Sequence, residues 1–461
     1  PSLRYLVHLN APGYSVIGAT EPAIPGVAIG HNGSVGWGLT IVGTDQADVF
    51  VEQLNPENLD QALWQGEWYT LEVVVDTIPV KGEAPRVVEF RYSRHGPVFY
   101  VDSTHHVAYA IRSTSSEPGG GGYLGGIRLG EVSDCHEFID TMQYWQAPDE
   151  NMICGDVDGN IAWLAAALTP NRSGDGWYGR LPVPGTGEYA WDGFRSHTEL
   201  PQQFNPTRGW IGTSNHDIQP PDYYPPIMLK SGVSSRWDRQ QQIFAKVDSG
   251  LTADDFERMQ HDAVHPWFAE DDLPLLRGWT SDDADVEWAR SQLAAWDGTY
   301  DKNGAAPALH YFWRDALADE ARQPGTPQAR RNALSEAALR AALEELRDRQ
   351  GDDRGEWRWG RRNRSEFPHE LVAAYDLPAV ERDGDGGTIA DIGATFREII
   401  DFADFNNSRA TSAPGQSMQP GSPFYGNLLS IWASEEYFPL LYTRDAVEGS
   451  STHRLQLNPA N

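Results

Sequence analysis

Cysteine, lysine and long apolar runs are all scarce in this sequence, and each scarcity excludes something. Only two of the 461 residues are cysteine, Cys135 and Cys154, too few for a disulfide framework or a cysteine-rich zinc site. No stretch reaches the ~18 uninterrupted apolar residues of a membrane-spanning helix. Of the 36 basic side chains four are lysine (Lys81, Lys230, Lys246, Lys302) and 32 arginine, against 66 acids, for a net charge of −30. That sign disfavours a nucleic-acid-binding face. Acid excess with little lysine suits concentrated salt, where a short Debye length screens self-repulsion, so a high-salt source is expected. A GC-rich genome that exchanges lysine for arginine is the other reading. The familiar catalytic signatures are missing as well. Ser15, Ser34, Ser234 and Ser417 lie near glycines but form no Gly-x-Ser-x-Gly elbow. There is no His-Glu-x-x-His, P-loop or dinucleotide fingerprint, and the 13 histidines show no metal-ligand spacing. Asp383-Gly384-Asp385-Gly386-Gly387 lacks the later ligands of a calcium loop and reads as a tight surface turn.

Aromatics are plentiful: 17 Trp, 18 Tyr and 16 Phe in a chain that is 40% hydrophobic, which excludes a disordered protein. The length allows two domains or one large layered domain. Residues 1–250 read as strand-rich, 251–350 as a helical insertion and 351–461 as a return to mixed strands and turns. The chain opens on a strand pattern, Arg4 to Leu9, with no initiator Met or leader, so a segment upstream is expected. Alternating β-formers predict strands at 47–51, 70–75 and 86–90. The glycines 119–122 predict a loop, and 133–145 a helix. Met152 to Asp156, a turn at Asp158-Gly159-Asn160, and Ile161 to Ala166 predict a hairpin. Thr252 to Asp255 carries a capping box, and Leu334, Ala338, Leu339, Leu343 and Leu346 mark one face of an amphipathic helix over 328–349.

One set of motifs stands apart. Gly30-His31-Asn32-Gly33 is followed by Trp37-Gly38-Leu39-Thr40 and by Asp45 and Asp48. Asp156-Val157-Asp158-Gly159-Asn160-Ile161 comes next, then Leu181-Pro182-Val183-Pro184-Gly185 with Gly187-Glu188-Tyr189, Trp191 and Gly193. Asn205-Pro206, Thr213-Ser214-Asn215, Ser408-Arg409, Pro414-Gly415-Gln416-Ser417 and Pro420-Gly421-Ser422-Pro423 complete the series. In this order the blocks resemble the large chain of the penicillin acylase family of N-terminal-nucleophile hydrolases.

The resemblance implies an α+β fold, a four-layer αββα sandwich of the N-terminal-nucleophile type with a mostly helical insertion. It implies a precursor that cuts itself into a small and a large chain, the new N-terminal Ser of the large chain being the nucleophile and its α-amino group the base. That serine would lie upstream of Pro1, so this chain by itself is expected to be inactive, with the small chain as partner. By position, Asn215 resembles the side-chain donor to the tetrahedral oxyanion, Ile41 the backbone N–H donor, and Arg239 the arginine that organises the site. A turn residue opening the Pro220-Pro221 loop is the plainer reading of Asn215. Ile29 and Leu39 fall at acyl-pocket positions, where aliphatic side chains suit a fatty acyl tail at least as well as an aromatic one. Plain core is their other reading. Asp45 and Asp48, with the Ala47 carbonyl, resemble the ligands of a structural calcium; two carboxylates in a surface turn are the alternative. No organic cofactor is implied.

The implied activity is amide hydrolysis of an N-acylated small molecule, such as a β-lactam side chain or an N-acyl homoserine lactone, by a protein that family habit places outside the cytoplasm. Two rivals remain. A non-catalytic binding protein could keep the scaffold without the serine. A glycoside hydrolase could stack sugars on Trp163, Trp177 and Trp191 and draw an acid–base pair from the many carboxylates.

Overall fold

The computed structural model describes residues 4–22, 25–119, 124–174, 176–229, 232, 234–247, 249–390 and 394–458. Two compact units emerge: one of residues 10–16 and 24–232, the other of residues 1–9, 17–23 and 233–461. The division therefore falls near residue 232, and the helical stretch shares its unit with the C-terminal strands. Mixed helices and sheets make the chain α+β.

The first unit is built from strands. In one sheet Ile29–His31, Val35–Ile41, Glu150–Asp156, Ile161–Ala166 and Gln202–Phe204 lie side by side in that order. The second runs Glu67–Thr70, Asn58–Trp64, Ala47–Asn55, Val107–Ser113, Gly96–Asp102, Arg86–Ser93, Glu72–Ile78. Along Ala47–Asn55 every second side chain is buried, Asp48, Phe50, Glu52 and Leu54, the two-residue period of a strand with one covered face. Two of those four are acids, so this face needs polar partners as well as apolar ones.

The resemblance blocks turn out to be mostly turns. Asn32 Oδ1 accepts the backbone N–H groups of Ser34 and Val35, both at 2.9 Å, while its amide donates to the carbonyls of Leu129 and Val132. Gly33 supplies the positive φ (86°) that closes this hairpin. Asp156 does the same work in the next hairpin. It takes the N–H of Asp158 and Asn160, and also that of Cys135 at the start of helix Cys135–Thr141. Burial opposes its charge, but these hydrogen bonds prevail and hold its pKa below the ordinary value. Cys135 and Cys154 are joined by a disulfide that ties this helix to strand Glu150–Asp156.

The second unit centres on helices Ala284–Ala295, Ala305–Ala316 and Gln328–Gln350. Their core includes Leu293, Phe312, Trp313, Leu339, Leu343 and Leu346, closed by Trp357 and Trp359. The capping box before helix Ala253–Gln260 forms as the sequence predicts: Thr252 Oγ1 accepts from Asp255 N, and Asp255 Oδ2 accepts from Thr252 N at 2.7 Å. A small sheet, Phe396–Ile399, Arg409–Ser412 and Phe438–Pro439, buries Ala410 and Leu440 against Ile17 and Leu6. The expected helix over 133–145 is Cys135–Thr141 followed by a tighter turn, Met142–Tyr144. The expected loop at 119–122 lies outside the described residues from 120 onward. Among the described residues no helix is long and apolar enough to cross a membrane.

Candidate functional site

The strand Val35–Ile41 pairs along its whole length with Glu150–Asp156, Leu39 opposite Met152, Thr40 opposite Asn151 and Ile41 opposite Glu150. Its last residue, Ile41, is 60% exposed. Segment 213–215 is fastened alongside. Thr40 Oγ1 donates to Thr213 Oγ1 at 2.9 Å, and the Asn215 side-chain amide donates to the Ile41 carbonyl at 2.9 Å. Asn215 sits in the left-handed region with φ 55°, where Asn is the most tolerant of the residues with a Cβ.

Behind this contact is Asn151, fully buried. Its amide donates to Thr40 Oγ1 at 3.2 Å and to the Ile41 carbonyl at 3.4 Å, and its oxygen accepts the Trp163 indole N–H at 2.9 Å. Just beyond the strand, Asp149 Oδ2 accepts the N–H groups of Gly43 and Thr44, both at 2.6 Å. The Ile41 terminus is thus held by two asparagine amides and an aspartate cap. Asn215 and Ile41, singled out from sequence, come together; Asn151 and Asp149 carried no sequence signal, because their partners lie about a hundred positions away.

Ile29 and Leu39 fall on opposite faces. Register Gly30↔Trp37 and His31↔Gly36 puts Gly30 on the face shared by Trp37, Leu39 and Ile41, so the pleat turns Ile29 to the opposite face. Leu39, half-buried, lies on the Ile41 face. Arg239 belongs to the helical unit, on helix Ser235–Phe244, where Asp262 grips its guanidinium bidentately at 2.8 and 2.7 Å.

Asp45 and Asp48 converge on one side chain. Arg172 Nε lies 2.7 Å from Asp48 Oδ2, and Arg172 Nη2 lies 3.1 Å from Asp45 Oδ2 and 3.0 Å from the Asp45 carbonyl oxygen. The Trp191 indole donates to Asp48 Oδ2 at 2.6 Å. Burial, chiefly, pushes Asp45 up to about 6, with the Asp48 charge adding and Arg172 opposing. Among the described residues no group of three or more His, Cys, Asp or Glu side chains is placed to hold a metal ion.

Two of the three tryptophans of the glycoside hydrolase rival are structural. Trp163 and Trp191 are 5% and 7% exposed and spend their N–H groups on Asn151 and Asp48. Trp177 packs edge-on against Phe50, 5.8 Å between ring centres. Trp163 and Trp191 are therefore closed to a sugar, whereas Trp177 is half-buried and lines a surface cavity with Tyr178, Arg195 and Tyr223.

Several known proteins are similar to this chain. The family model for penicillin amidase matches residues 1–449. Penicillin acylase 2 proenzyme of Pseudomonas sp. (strain SE83) is 28% identical over the whole chain, which spans 66% of that protein. Acyl-homoserine lactone acylase QuiP of Pseudomonas aeruginosa is 26% identical, and the chain spans 65% of it. The chain thus spans less than two thirds of the length of these curated relatives. The solved structure of a thermostable penicillin G acylase from Alcaligenes faecalis superposes with a TM-score of 0.75 at 21% identity, covering 100% of this chain and 95% of that one. At that identity the match speaks for the fold.

Proposed function

Since the chain belongs to the penicillin amidase family, we propose that the protein of which it forms part is an amidohydrolase that cleaves the amide bond of an N-acylated small molecule. The observation that carries this reading is the 2.9 Å contact of the Asn215 amide with Ile41, at an exposed strand end. Amide hydrolysis passes through a tetrahedral oxyanion, and two N–H donors from rigid elements stabilise it better than water can. The Ile41 backbone N–H is one donor and the Asn215 carboxamide, which carries two N–H bonds, the other.

In this reading an N-terminal Ser, supplied from outside these 461 residues, attacks the carbonyl carbon. The oxyanion rests on Ile41 and Asn215 while the C–N bond breaks. The serine hydroxyl proton passes to the Ser α-amino group and on to the leaving amine, and water then releases the acid from the ester. A small chain from the same precursor completes the pocket, and the architecture is the four-layer sandwich of N-terminal-nucleophile hydrolases. Leu39, on the same face as Ile41, lines the acyl side and suits an aliphatic tail. Penicillin acylase and acyl-homoserine lactone acylase are the names of its relatives, so N-acyl homoserine lactones and acylated β-lactams are the first substrates to try. Arg239, locked to Asp262, acts by positioning the helix that carries it.

The test is intact-mass and N-terminal analysis of the natively purified protein, followed by turnover of acyl-amide substrates. A larger chain beginning with Ser, travelling with a smaller one and releasing free amine, is the expected result. A native chain lacking that Ser and leaving every acyl amide intact would overturn the proposal in favour of a binding protein.

A further inference from the structure

The acidic pair Asp45 and Asp48 is where this chain departs from what its resemblance implies. A hard divalent cation such as calcium takes six to eight oxygen ligands at roughly 2.3–2.6 Å, several of them carboxylate. The oxygens that would begin such a sphere are already engaged. Arg172 Nε holds Asp48 Oδ2 at 2.7 Å, and Arg172 Nη2 spans the Asp45 carbonyl oxygen and Asp45 Oδ2 at 3.0 and 3.1 Å. The Trp191 N–H occupies Asp48 Oδ2 from another direction at 2.6 Å. Two acidic oxygens, Asp48 Oδ1 and Asp45 Oδ2, are buried with no hydrogen bond among the described residues, and Asp45 Oδ2 faces Arg172 Nη2 as an ion pair at 3.1 Å. One oxygen opposite the guanidinium and one beside it suit a counterion and a water, not a sphere of six or more oxygens.

The surroundings are shaped for the guanidinium. Arg172 and Trp191 face each other across the two-stranded ribbon Pro170–Ser173 and Ala190–Phe194, so one small element delivers both donors to Asp48. The Arg172 side chain is 6% exposed, a degree of burial that an arginine reaches only when paired. Gly179 covers it. A Cβ there would lie 2.3 Å from Asp45 Oδ2 and 2.8 Å from Arg172 Cζ, and the φ of +94° independently favours glycine. Lid, ribbon and acids enclose a planar cation with a fork of N–H donors, the geometry that distinguishes arginine from a spherical ion.

We infer that Arg172 is a built-in counterion that stands where a divalent cation would, so that this acidic pair is held without calcium. The inference concerns metal dependence and holds or fails independently of the acylase reading. It makes the start of strand Ala47–Asn55, and with it the ribbon that carries Trp191, insensitive to chelators.

The experiment uses the natively purified whole protein. Its calcium content is measured after gel filtration in calcium-containing and then chelator-containing buffer, and its melting temperature is recorded in each. The expected result is no stoichiometric calcium and one melting temperature in both buffers. One calcium retained per chain, or a melting temperature that falls with the chelator, overturns the inference. Variants add a second arm. Arg172→Ala leaves the buried Asp48 and the half-buried Asp45 carboxylates uncompensated and lowers the melting temperature by roughly 5 °C or more. Asp48→Asn added to it restores part of the fall, because it removes the stranded charge. An Arg172→Ala protein that melts like the parent, or an Asp48→Asn that deepens the fall additively, contradicts the counterion role. Should Arg172→Ala fail to fold, Arg172→Lys keeps the charge, loses the fork, and is read on the same scale with a smaller shift.

Discussion

In the strand unit two carboxylates, Asp45 and Asp48, share the single guanidinium of Arg172. In the helical unit one carboxylate, Asp272, is met by three groups. His310 Nε2 lies 2.9 Å from its Oδ2, Arg322 Nη2 2.9 Å from its Oδ1, and Arg314 Nε 3.7 Å from its Oδ2. The consequences run in opposite directions. Asp45 is pushed up to about 6, mainly by burial. Burial pulls the same way on Asp272, but the hydrogen bonds from His310 and Arg322 and the Arg314 charge bring it down to about 2. Burial thus sets the penalty in both places, and the count of donors decides whether the acid stays ionised.

The helical unit has the more extended network. His310 is wholly buried and passes the connection on: its Nδ1 accepts the Tyr300 hydroxyl at 2.7 Å. Burial lowers the pKa of His310, against the hydrogen bond and charge of Asp272, which raise it. His265, beside Arg314, is brought down to about 3 by burial first and by the Arg314 charge second.

The largest effect is expected at Asp272. Asp272→Ala removes the shared acid from buried His310 and from the partly exposed Arg314 and Arg322, and should cost about 3 kcal/mol in urea unfolding followed by tryptophan fluorescence. A loss below about 1 kcal/mol would mean that the network is ornamental to stability.

Acid offers a second handle. His265 has a folded pKa of about 3 against 6.5 unperturbed, so its contribution is complete above pH 6.5 and is lost as pH falls toward 3. Asp272 adds a later loss: its contribution is complete above about 4 and disappears as pH falls through about 2. Raised pKa values at Asp45 and the buried Glu398 act in the opposite direction, so the loss is read by difference: unfolding free energy should fall more from pH 7 to pH 3 in the parent than in a His265→Gln variant. Parallel profiles for the two proteins would place His265 in contact with water.

In the strand unit, Trp191→Phe removes one hydrogen bond to Asp48 and keeps the ring, for about 1.5–3 kcal/mol. At the exposed end of the scale, Thr252→Ala deletes the cap of helix Ala253–Gln260 and should cost about 1 kcal/mol. If the two losses come out in the reverse order, the buried acid at Asp48 is less dependent on its donors than its geometry implies.

The same contrast governs what could be read from the sequence. Helix Gln328–Gln350 and the Thr252 capping box were legible because their signals span three or four positions. The hairpin Glu150–Asp156 to Ile161–Ala166 was legible because Asp156, Gly159 and Asn160 write its turn locally. The resemblance blocks led to Asn215 and Ile41, which the structure brings together across 174 positions. Partners without a local pattern stayed hidden. Arg172 is one of 32 arginines, and nothing in Pro170-Asn171-Arg172 marks it for Asp48, 124 positions earlier. Asn151 reads as an ordinary strand residue until Thr40 and Trp163 are seen around it. Trp163 and Trp191 read as sugar platforms alongside Trp177 because local sequence does not tell a buried indole from an open one. Ile29 and Leu39 were paired by position alone, and the two-residue period of the strand separates them.

The central claim is that the end of strand Val35–Ile41, with Asn215, stabilises an oxyanion. The direct measurement is steady-state hydrolysis of an N-acyl homoserine lactone or an acylated β-lactam by the processed protein and its Asn215→Ala variant, with melting temperatures recorded alongside. The account predicts a fall in kcat of roughly 10²–10³-fold, a nearly unchanged KM and a melting temperature close to the parent's. A kcat that survives the substitution would contradict it.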